Sequence, residues 1–269
     1  MPKPALIVYQ GRAGDRNGRG TAGARVLGNA LARRLNLEPR VVGVESEPLP
    51  TTLWDEQLSA ARSDLRALSD MLAPLLADGV RCISAIGRCA AGLATVPAVV
   101  RHHGQACVVW FDAHGDSNLP SSNAVPYLGG MVITGAAGHW DSGLGSGLSI
   151  GNVVLVGARD LDPHEKQLIT SGVLTLLPPG PGLAERLGKF VGNREVYVHL
   201  DCDVLEPGVV PLEYEVTGGL SLADLHACAV ELARRTVLGV EIAEFESTWA
   251  DGRRGDPDVL IDAIEPLLI

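Results

Sequence analysis

Residues Val108 to Asn118 read VVWFDAHGDSN, and the interpretation of the rest of the chain begins from this stretch. The four apolar residues Val108 to Phe111 are typical of a short buried strand. Three potential metal ligands follow at every second position: Asp112, His114 and Asp116. On an extended chain alternate residues point to the same side, so Asp112 and His114 would converge on one ion. A solvated loop after a strand could carry the same residues, so this pattern alone leaves the metal site open.

A second stretch with the same design strengthens the metal hypothesis. Glu195 to Leu200 (EVYVHL) is another strand-like run, and Asp201 and Asp203 follow it. In parallel α/β sheets, functional sites form at the carboxyl ends of the strands. Burying so many carboxylates without a cation would be very costly, because they would repel one another. Aspartate and histidine suit hard or borderline divalent ions such as Mn²⁺, and bridging carboxylates would allow two ions.

The motifs DAHGD (112–116) and LDCDVLEP (200–207) resemble those of the arginase/ureohydrolase superfamily, which are Asp-Ala-His-x-Asp and an Asp-x-Asp followed by Pro. The resemblance implies a binuclear Mn²⁺ centre with a bridging hydroxide that hydrolyses guanidinium or amidine groups. It also implies an arginase-like three-layer α/β/α sandwich, which we expect residues 1–269 to form as a single domain. Strand and helix signals alternate along the chain, and this alternation predicts an α/β fold with a mainly parallel sheet.

Composition excludes several other classes of protein. The chain has 269 residues, is 46% hydrophobic and carries a net charge of −10, which argues against nucleic-acid and anionic-membrane partners. It contains no apolar run of about 18 residues and no signal-peptide core, so we expect a cytoplasmic protein without a membrane span. Five scattered cysteines favour a reducing compartment and no disulfide framework. A homo-oligomer is possible.

The segment 10–20 (QGRAGDRNGRG) follows a predicted first strand, Ala5 to Tyr9. It lacks the glycine spacing of a nucleotide-binding loop. Its composition predicts a mobile loop over the edge of the sheet rather than a packed element, and this loop could border the site. Further strands are predicted over 40–44, 81–86, 152–158 and 236–242, and helices over 21–35, 55–76, 223–235 and 256–268.

Cys89 is a departure from the superfamily pattern. In the superfamily the strand before the Asp-Ala-His motif ends in Gly-Gly-Asp-His, and that His is a metal ligand. Here residues 86–89 read Ile-Gly-Arg-Cys, and Cys89 precedes Asp112 by 23 residues, which matches the superfamily interval. A small buried packing residue is the alternative role for this cysteine. A thiolate is nevertheless a competent ligand for Mn²⁺ or Zn²⁺, and a nearby metal would lower its pKa.

The resemblance implies the following metal ligands. Metal A would be held by Cys89, Asp112, Asp116 and Asp201, and metal B by His114, Asp112, Asp201 and Asp203, with Asp112 and Asp201 bridging the two ions. The other six histidines are expected at the surface or in packing contacts: His102, His103, His139, His164, His199 and His226.

The resemblance also implies a substrate with an amino-acid head. Asn118 aligns with an Asn that contacts the substrate α-carboxylate, and Asp162 with an Asp that reads the α-amino group. Asp162 could also cap a helix that begins at Pro163, and the two roles are compatible. Glu244 aligns with the Glu that hydrogen-bonds the guanidinium, a planar fork that matches a carboxylate.

A second departure concerns proton transfer. Arginases carry a shuttle His after the loop 119–130, but the position found by counting is Gly129. Tyr127 is the nearest polar alternative. We therefore assign Asp116, Glu244 and Tyr127 to catalysis.

Cys89 bears on the substrate as well. Four aspartates, a thiolate, two Mn²⁺ and one hydroxide would carry a net charge of about −2, which makes a weaker Lewis acid. That should slow arginine hydrolysis, where the strongly basic leaving amine needs protonation, more than hydrolysis of an N-hydroxyguanidine, which is less basic and can protonate its own departing group more easily. A Cys at this position resembles the superfamily's Nω-hydroxy-L-arginine hydrolases of D-cycloserine antibiotic biosynthesis, which release hydroxyurea and L-ornithine. The alternatives are an arginase, an agmatinase, a formimidoylglutamase, or a catalytically silent binding subunit.

Overall fold

The structure, a computed structural model, describes residues 2–122 and 126–269. Strands and helices alternate through these residues, as the sequence predicts. The strands are β1 (Ala5–Tyr9), β2 (Pro39–Val42), β3 (Cys82–Gly87), β4 (Cys107–Phe111), β5 (Val153–Val156), β6 (Thr175–Leu177), β7 (Val196–Asp201) and β8 (Val237–Ala243). The helices are α1 (Arg19–Leu35), α2 (Trp54–Ala77), α3 (Gly92–His102), α4 (Val132–Ala137), α5 (Pro163–Thr170), α6 (Leu183–Val191), α7 (Leu222–Leu232) and α8 (Asp258–Leu268).

All eight strands belong to one parallel sheet, in the order β2-β1-β3-β8-β7-β4-β5-β6. One buried apolar cluster joins the sheet to α2, α3 and α4 on one face, and a second joins it to α1, α6, α7 and α8 on the other. Because helices cover both faces, the central strands are apolar on both sides, which explains runs such as VVWF. The predicted three-layer α/β/α sandwich with a parallel sheet is confirmed.

The strand order explains how distant motifs meet. After β3 the chain skips two places to form β4, and β8 and β7 fill the gap much later in the sequence. The four central neighbours are therefore β3, β8, β7 and β4. Their carboxyl ends lie side by side on one edge of the sheet, and the motif residues come directly after them.

Three helices show where pattern reading falls short. Helix α3 was not predicted because all residues from Gly92 to Val100 are buried, so it has no polar face to produce a helical period. Helices α4 and α6 were also not predicted, nor was the three-residue strand β6. No helix within residues 2–122 and 126–269 combines the length and apolarity that crossing a bilayer requires.

The prediction that segment 10–20 is not packed is wrong. Ala13, Asp15 and Gly20 are buried, and α1 begins within the segment at Arg19. The glycines allow close packing against the sheet edge rather than an open loop. The segment does border the candidate site, because Arg16 lines its cavity.

Helix α1 packs unusually close to the chain that follows β8. A Cβ added to Gly23 would lie 1.8 Å from the carbonyl oxygen of Phe245. Glycine in the middle of a helix costs stability relative to alanine, so its presence here is explained by this backbone contact.

We therefore expect Gly23→Ala to lower the free energy of unfolding by about 3 kcal/mol, the upper end of the usual cost of overpacking. Urea denaturation with an unchanged m-value would measure this loss. Gly151→Ala is the control, because a Cβ there has its nearest neighbour at 3.9 Å, and its effect should stay within about 0.5 kcal/mol. Equal stability of the two variants would show that α1 has room to shift.

Candidate metal and substrate site

A cavity of about 240 Å³ lies at the carboxyl ends of the central strands. It collects most of the residues that the sequence singles out. Its lining residues are Arg16, Cys89, His114, Asp116, Asn118, Tyr127, Gly129, Gly130, Asp160, Asp162, Glu165, Asp201, Asp203, Tyr214 and Glu244. Asp112 lies just beneath them and is fully buried.

One group of potential ligands joins the ends of β4 and β7. His114 Nδ1 lies 3.0 Å from Asp203 Oδ2 and 3.3 Å from Asp112 Oδ1. One ligand atom from each of these three residues lies within 4.8 Å of the other two. The group matches three of the four residues assigned to metal B.

A second set of ligand atoms surrounds Cys89 at the end of β3. One ligand atom each from Cys89, Asp112 and Asp116 lies within 4.8 Å of the others, and the same holds for Cys89, Asp201 and Glu244. The Cys89 thiol also donates a hydrogen bond to Asp201 Oδ2 at 2.9 Å. The residues assigned to metal A thus lie together, with Glu244 beside them.

The ligand pairs converge through turns and not through extended alternation. Strand β4 ends at Phe111, and the chain then bends so that Asp112 Oδ1 accepts a hydrogen bond from the His114 backbone N–H at 2.6 Å. After β7, Asp201 Oδ1 accepts one from the Asp203 N–H at 2.8 Å. The prediction that residues 112–116 form an extended chain is therefore wrong. The prediction that the side chains of Asp112 and His114 lie close together is confirmed.

Backbone geometry around the site is strained at two positions. Asp116 (φ 43°) and Glu244 (φ 60°) adopt left-handed conformations, which residues with a side chain rarely do. Such strain is commonly found at functional sites, where the surrounding structure enforces it.

The carboxylates of the cluster are held in an electrostatically unfavourable state. Burial, and then repulsion by neighbouring aspartates, raises the pKa of Asp116 and Asp201 well above the usual range and that of Asp203 to about 6. Burial alone would lower the pKa of His114, but its hydrogen bonds to Asp112 and Asp203 outweigh this and raise it. Burial and Asp201 likewise raise the pKa of the Cys89 thiol.

These residues fit divalent cations. Asp116 Oδ2 is buried and has no hydrogen-bond partner within the described chain. Oxygen, nitrogen and sulfur atoms converge, and burial together with mutual repulsion raises the pKa of Asp116, Asp201 and Asp203. Cations bound here would supply compensating positive charge and keep the carboxylates ionised.

His199 is a residue whose importance the sequence analysis missed. It is buried, as a packing residue should be, but its Nε2 lies 3.2 Å from Cys89 Sγ and its Nδ1 2.6 Å from Glu241 Oε1. The ring stacks on Trp110 at 3.5 Å between centroids, and Trp110 Nε1 donates to Asp112 Oδ2. The sequence does contain an indication of this position. His199 precedes Asp201 by two residues on the same strand, so the two side chains point to the same face.

The proposed recognition residues for an amino-acid head form one wall of the cavity. Asn118 Nδ2 donates to Asp162 Oδ2 at 2.8 Å, and Asn118 Oδ1 accepts from Ser122 Oγ. Asp162 is the N-cap of α5, which begins at Pro163, so the predicted capping role is confirmed. The cap fixes Asp162 at the cavity rim beside Asn118.

Tyr127 occupies the space beside Gly129. A Cβ on Gly129 would lie 2.6 Å from Tyr127 Cε1, so a larger residue there would displace the ring. Burial, and then the nearby Glu244 carboxylate, raises the pKa of Tyr127 well above its usual value. The phenol therefore stays protonated near neutral pH.

Comparison with known proteins fits this geometry. Residues 47–254 match the sequence profile described as "Arginase family". The N(omega)-hydroxy-L-arginine amidinohydrolase of Streptomyces lavendulae is 37% identical over 263 residues, which cover 97% of this chain and 96% of that protein. The arginase of Staphylococcus aureus strain COL is 31% identical over 159 residues, which cover 54% of this chain and 52% of the other.

Solved structures share the fold. The arginase from Bacillus cereus superposes with a TM-score of 0.83 at 21% identity, over 100% of this chain and 98% of the other. The arginase from Bacillus caldovelox gives 0.81 at 22% identity, over 99% and 98%. The matches define the class of protein, which is a ureohydrolase enzyme. The chain belongs to the arginase family.

Glu165 connects two segments that border the site. Its Oε1 accepts from the Ser117 N–H at 3.1 Å and its Oε2 from the Asp162 N–H at 2.9 Å, so it ties the segment after β4 to the start of α5. The side chain is 2% exposed, and burial raises its pKa from 4.5 to about 7.

This pKa shift predicts a pH-dependent stability. The stabilisation from protonated Glu165 is fully present below about pH 4.5 and is lost as the pH rises through about 7. In metal-depleted protein, the stability of the wild type relative to Glu165→Gln should therefore fall by up to about 3 kcal/mol between acidic and mildly alkaline pH. Urea denaturation across this range would measure it.

Glu185→Gln is the matched control. Glu185 is exposed, and its hydrogen bond to Lys189 lowers its pKa, so the stability difference for this variant should not change above about pH 5.5. If the stability difference between the wild type and Glu165→Gln is equally independent of pH, the raised pKa of Glu165 is contradicted.

Proposed function

We propose that this enzyme hydrolyses Nω-hydroxy-L-arginine to hydroxyurea and L-ornithine with two Mn²⁺ ions. The observation that carries the proposal is Cys89, which lies within the ligand cluster beside Asp201 where the superfamily has a histidine. The Streptomyces lavendulae relative, whose name states that substrate, supports the same choice.

The chain offers a complete set of ligands for two ions. Cys89, Asp112, Asp116 and Asp201 would hold one, and His114, Asp112, Asp201 and Asp203 the other. The ions would supply Lewis-acid chemistry, which lowers the pKa of water enough to give a nucleophile near neutral pH.

The protein's own groups would bind and orient the substrate. Glu244 would accept hydrogen bonds from the guanidino nitrogens. Asn118 would contact the α-carboxylate and Asp162 the α-amino group, since both line the same cavity wall. This arrangement favours a substrate with an amino-acid head over agmatine, which has none.

Two other groups would handle protons. Asp116 Oδ2 is buried and has no hydrogen-bond partner within the described residues, so it would accept a proton from water. Tyr127 keeps its phenolic proton and would donate it toward the departing amine. A phenol is a weak acid, so this transfer suits an N-hydroxyguanidine, which can help to protonate its own departing amine.

An ordinary arginase is the second candidate, and the similarity to the Staphylococcus aureus enzyme favours it. The close packing of Tyr127 against Gly129 argues against it, because no side chain at position 129 could act as a proton shuttle.

The metal proposal predicts about two Mn²⁺ per chain by elemental analysis. Asp112→Ala and Asp201→Ala should remove most of the metal and reduce activity at least about 10³-fold, because each would bridge both ions. Asp160→Asn, at the cavity rim, is a control that should keep the metal content. Fully active protein without metal would rule out the mechanism.

The substrate proposal predicts that kcat/KM for Nω-hydroxy-L-arginine exceeds that for L-arginine at least about tenfold, which corresponds to about 1.4 kcal/mol. Separate assays of hydroxyurea and urea would measure the ratio. Cys89→His should narrow it by restoring a harder ligand. A preference for arginine or agmatine would contradict the substrate while leaving the fold and the metal cluster intact.

A further inference from the structure

Arg88 is a buried cation directly behind the substrate cavity. Its side chain is 1% exposed, and Nη1 lies 2.6 Å from Glu244 Oε2. The same guanidinium contacts four more groups: Glu213 Oε2 at 2.8 Å, Asn17 Oδ1 at 3.1 Å, Asp15 Oδ1 at 3.3 Å and Glu246 Oε1 at 3.6 Å. The position of the Arg88 guanidinium is therefore fixed by five side chains.

The glycine-rich segment 10–20 is shaped around this arginine. A Cβ on Gly20 would lie 2.7 Å from Arg88 Nε, so only glycine leaves space for the guanidinium. Asp15 accepts the Ala13 N–H through its second carboxylate oxygen, and Asn17 donates to Glu213. Arg88 cannot swing away from Glu244 without disrupting this shell.

Both carboxylate oxygens of Glu244 are consequently engaged. Oε2 accepts from Arg88, and Oε1 accepts from the Cys89 backbone N–H at 2.9 Å. A guanidinium pairs best with a carboxylate through two parallel hydrogen bonds, and here each oxygen of Glu244 already has a protein partner. The positive charge of Arg88 also reduces the attraction of the Glu244 carboxylate for a second cation.

From this geometry we infer that Arg88 is a specificity-determining residue that disfavours fully charged guanidinium substrates. Because Arg88 already pairs with Glu244, the Glu244 carboxylate attracts a second cation less strongly. The carboxylate can still accept hydrogen bonds from a neutral group. An N-hydroxyguanidine is less basic than a guanidine, so it can bind uncharged and depends less on an ion pair with Glu244. The inference rests on the proposed function, and it names a determinant of substrate choice separate from Cys89.

Replacement of Arg88 by a neutral residue of similar length tests the inference. In Mn²⁺-loaded Arg88→Met, L-arginine should bind more tightly, so its competitive inhibition constant should fall at least about fivefold. The ratio of kcat/KM for Nω-hydroxy-L-arginine over L-arginine should fall by a similar factor. A merely structural role would weaken both substrates together and would not produce tighter arginine binding.

Three further variants separate charge from packing. The double variant Arg88→Met with Glu213→Gln removes one cation and one anion together, so the net charge around Glu244 does not change. It should show the same fall in the inhibition constant of L-arginine. Glu213→Gln alone leaves Arg88 on Glu244, so the inhibition constant of L-arginine should not fall. Arg88→Lys keeps the charge but not the planar fork, so it should retain more of the discrimination than Arg88→Met does.

The outcomes are distinguishable. An unchanged or raised inhibition constant for L-arginine in both Met variants would overturn the role of Arg88, as would loss of folding in both, which would assign Arg88 to stability alone. A wild type that does not prefer Nω-hydroxy-L-arginine would instead contradict the proposed function. Wild-type preference that persists in the Met variants would contradict only the inference about Arg88.

Discussion

The crowding of buried carboxylates at one edge of the sheet is the constraint on which the site depends. Four aspartates follow two adjacent strands, and burial and mutual repulsion raise the pKa of Asp116, Asp201 and Asp203. Such a cluster is tolerable only where other groups hold most of its oxygens in place and a cation can balance the charge. Backbone N–H groups, His114 and Trp110 provide the first of these. The strand order provides the geometry, because it inserts β7 and β8 between β3 and β4.

Much of this arrangement could be predicted from local sequence, and the exceptions have a common physical cause. Apolar runs followed by spaced carboxylates predicted β4, β7 and the ligand cluster, because strand and ligands are neighbours in the chain. Arg88 and His199 were not assigned a role, because their partners Glu244 and Glu241 lie 156 and 42 residues away in the sequence. Segment 10–20 was misjudged for the same reason. Its glycines indicate flexibility when read alone, and they indicate close packing only once the buried guanidinium is known.

The two departures from the superfamily pattern would affect two different steps of the proposed reaction. Cys89 would alter the set of metal ligands, and its sulfur lies between His199 and Asp201. Gly129 removes a side chain that could carry protons, and Tyr127 fills the space with a phenol that stays protonated. A softer ligand set would weaken activation, and a weaker acid would give less help to a basic leaving group. Both changes would be tolerable for a substrate that can help to protonate its own leaving amine, and together they support the proposed substrate class more firmly than either does alone.

The short segment 86–89 links these effects to substrate recognition. Gly87 has a φ of 68°, which turns the chain at the end of β3 so that the next two side chains diverge. Arg88 reaches Glu244 from one side, while the Cys89 backbone N–H binds the other oxygen of Glu244 and its sulfur faces Asp201. The residues that would bind metal and the residue that would bind the guanidino group are therefore coupled through a single turn. A change at either position alters the surroundings of Glu244, so restoring a histidine at position 89 alone would still leave Glu244 shared with an arginine.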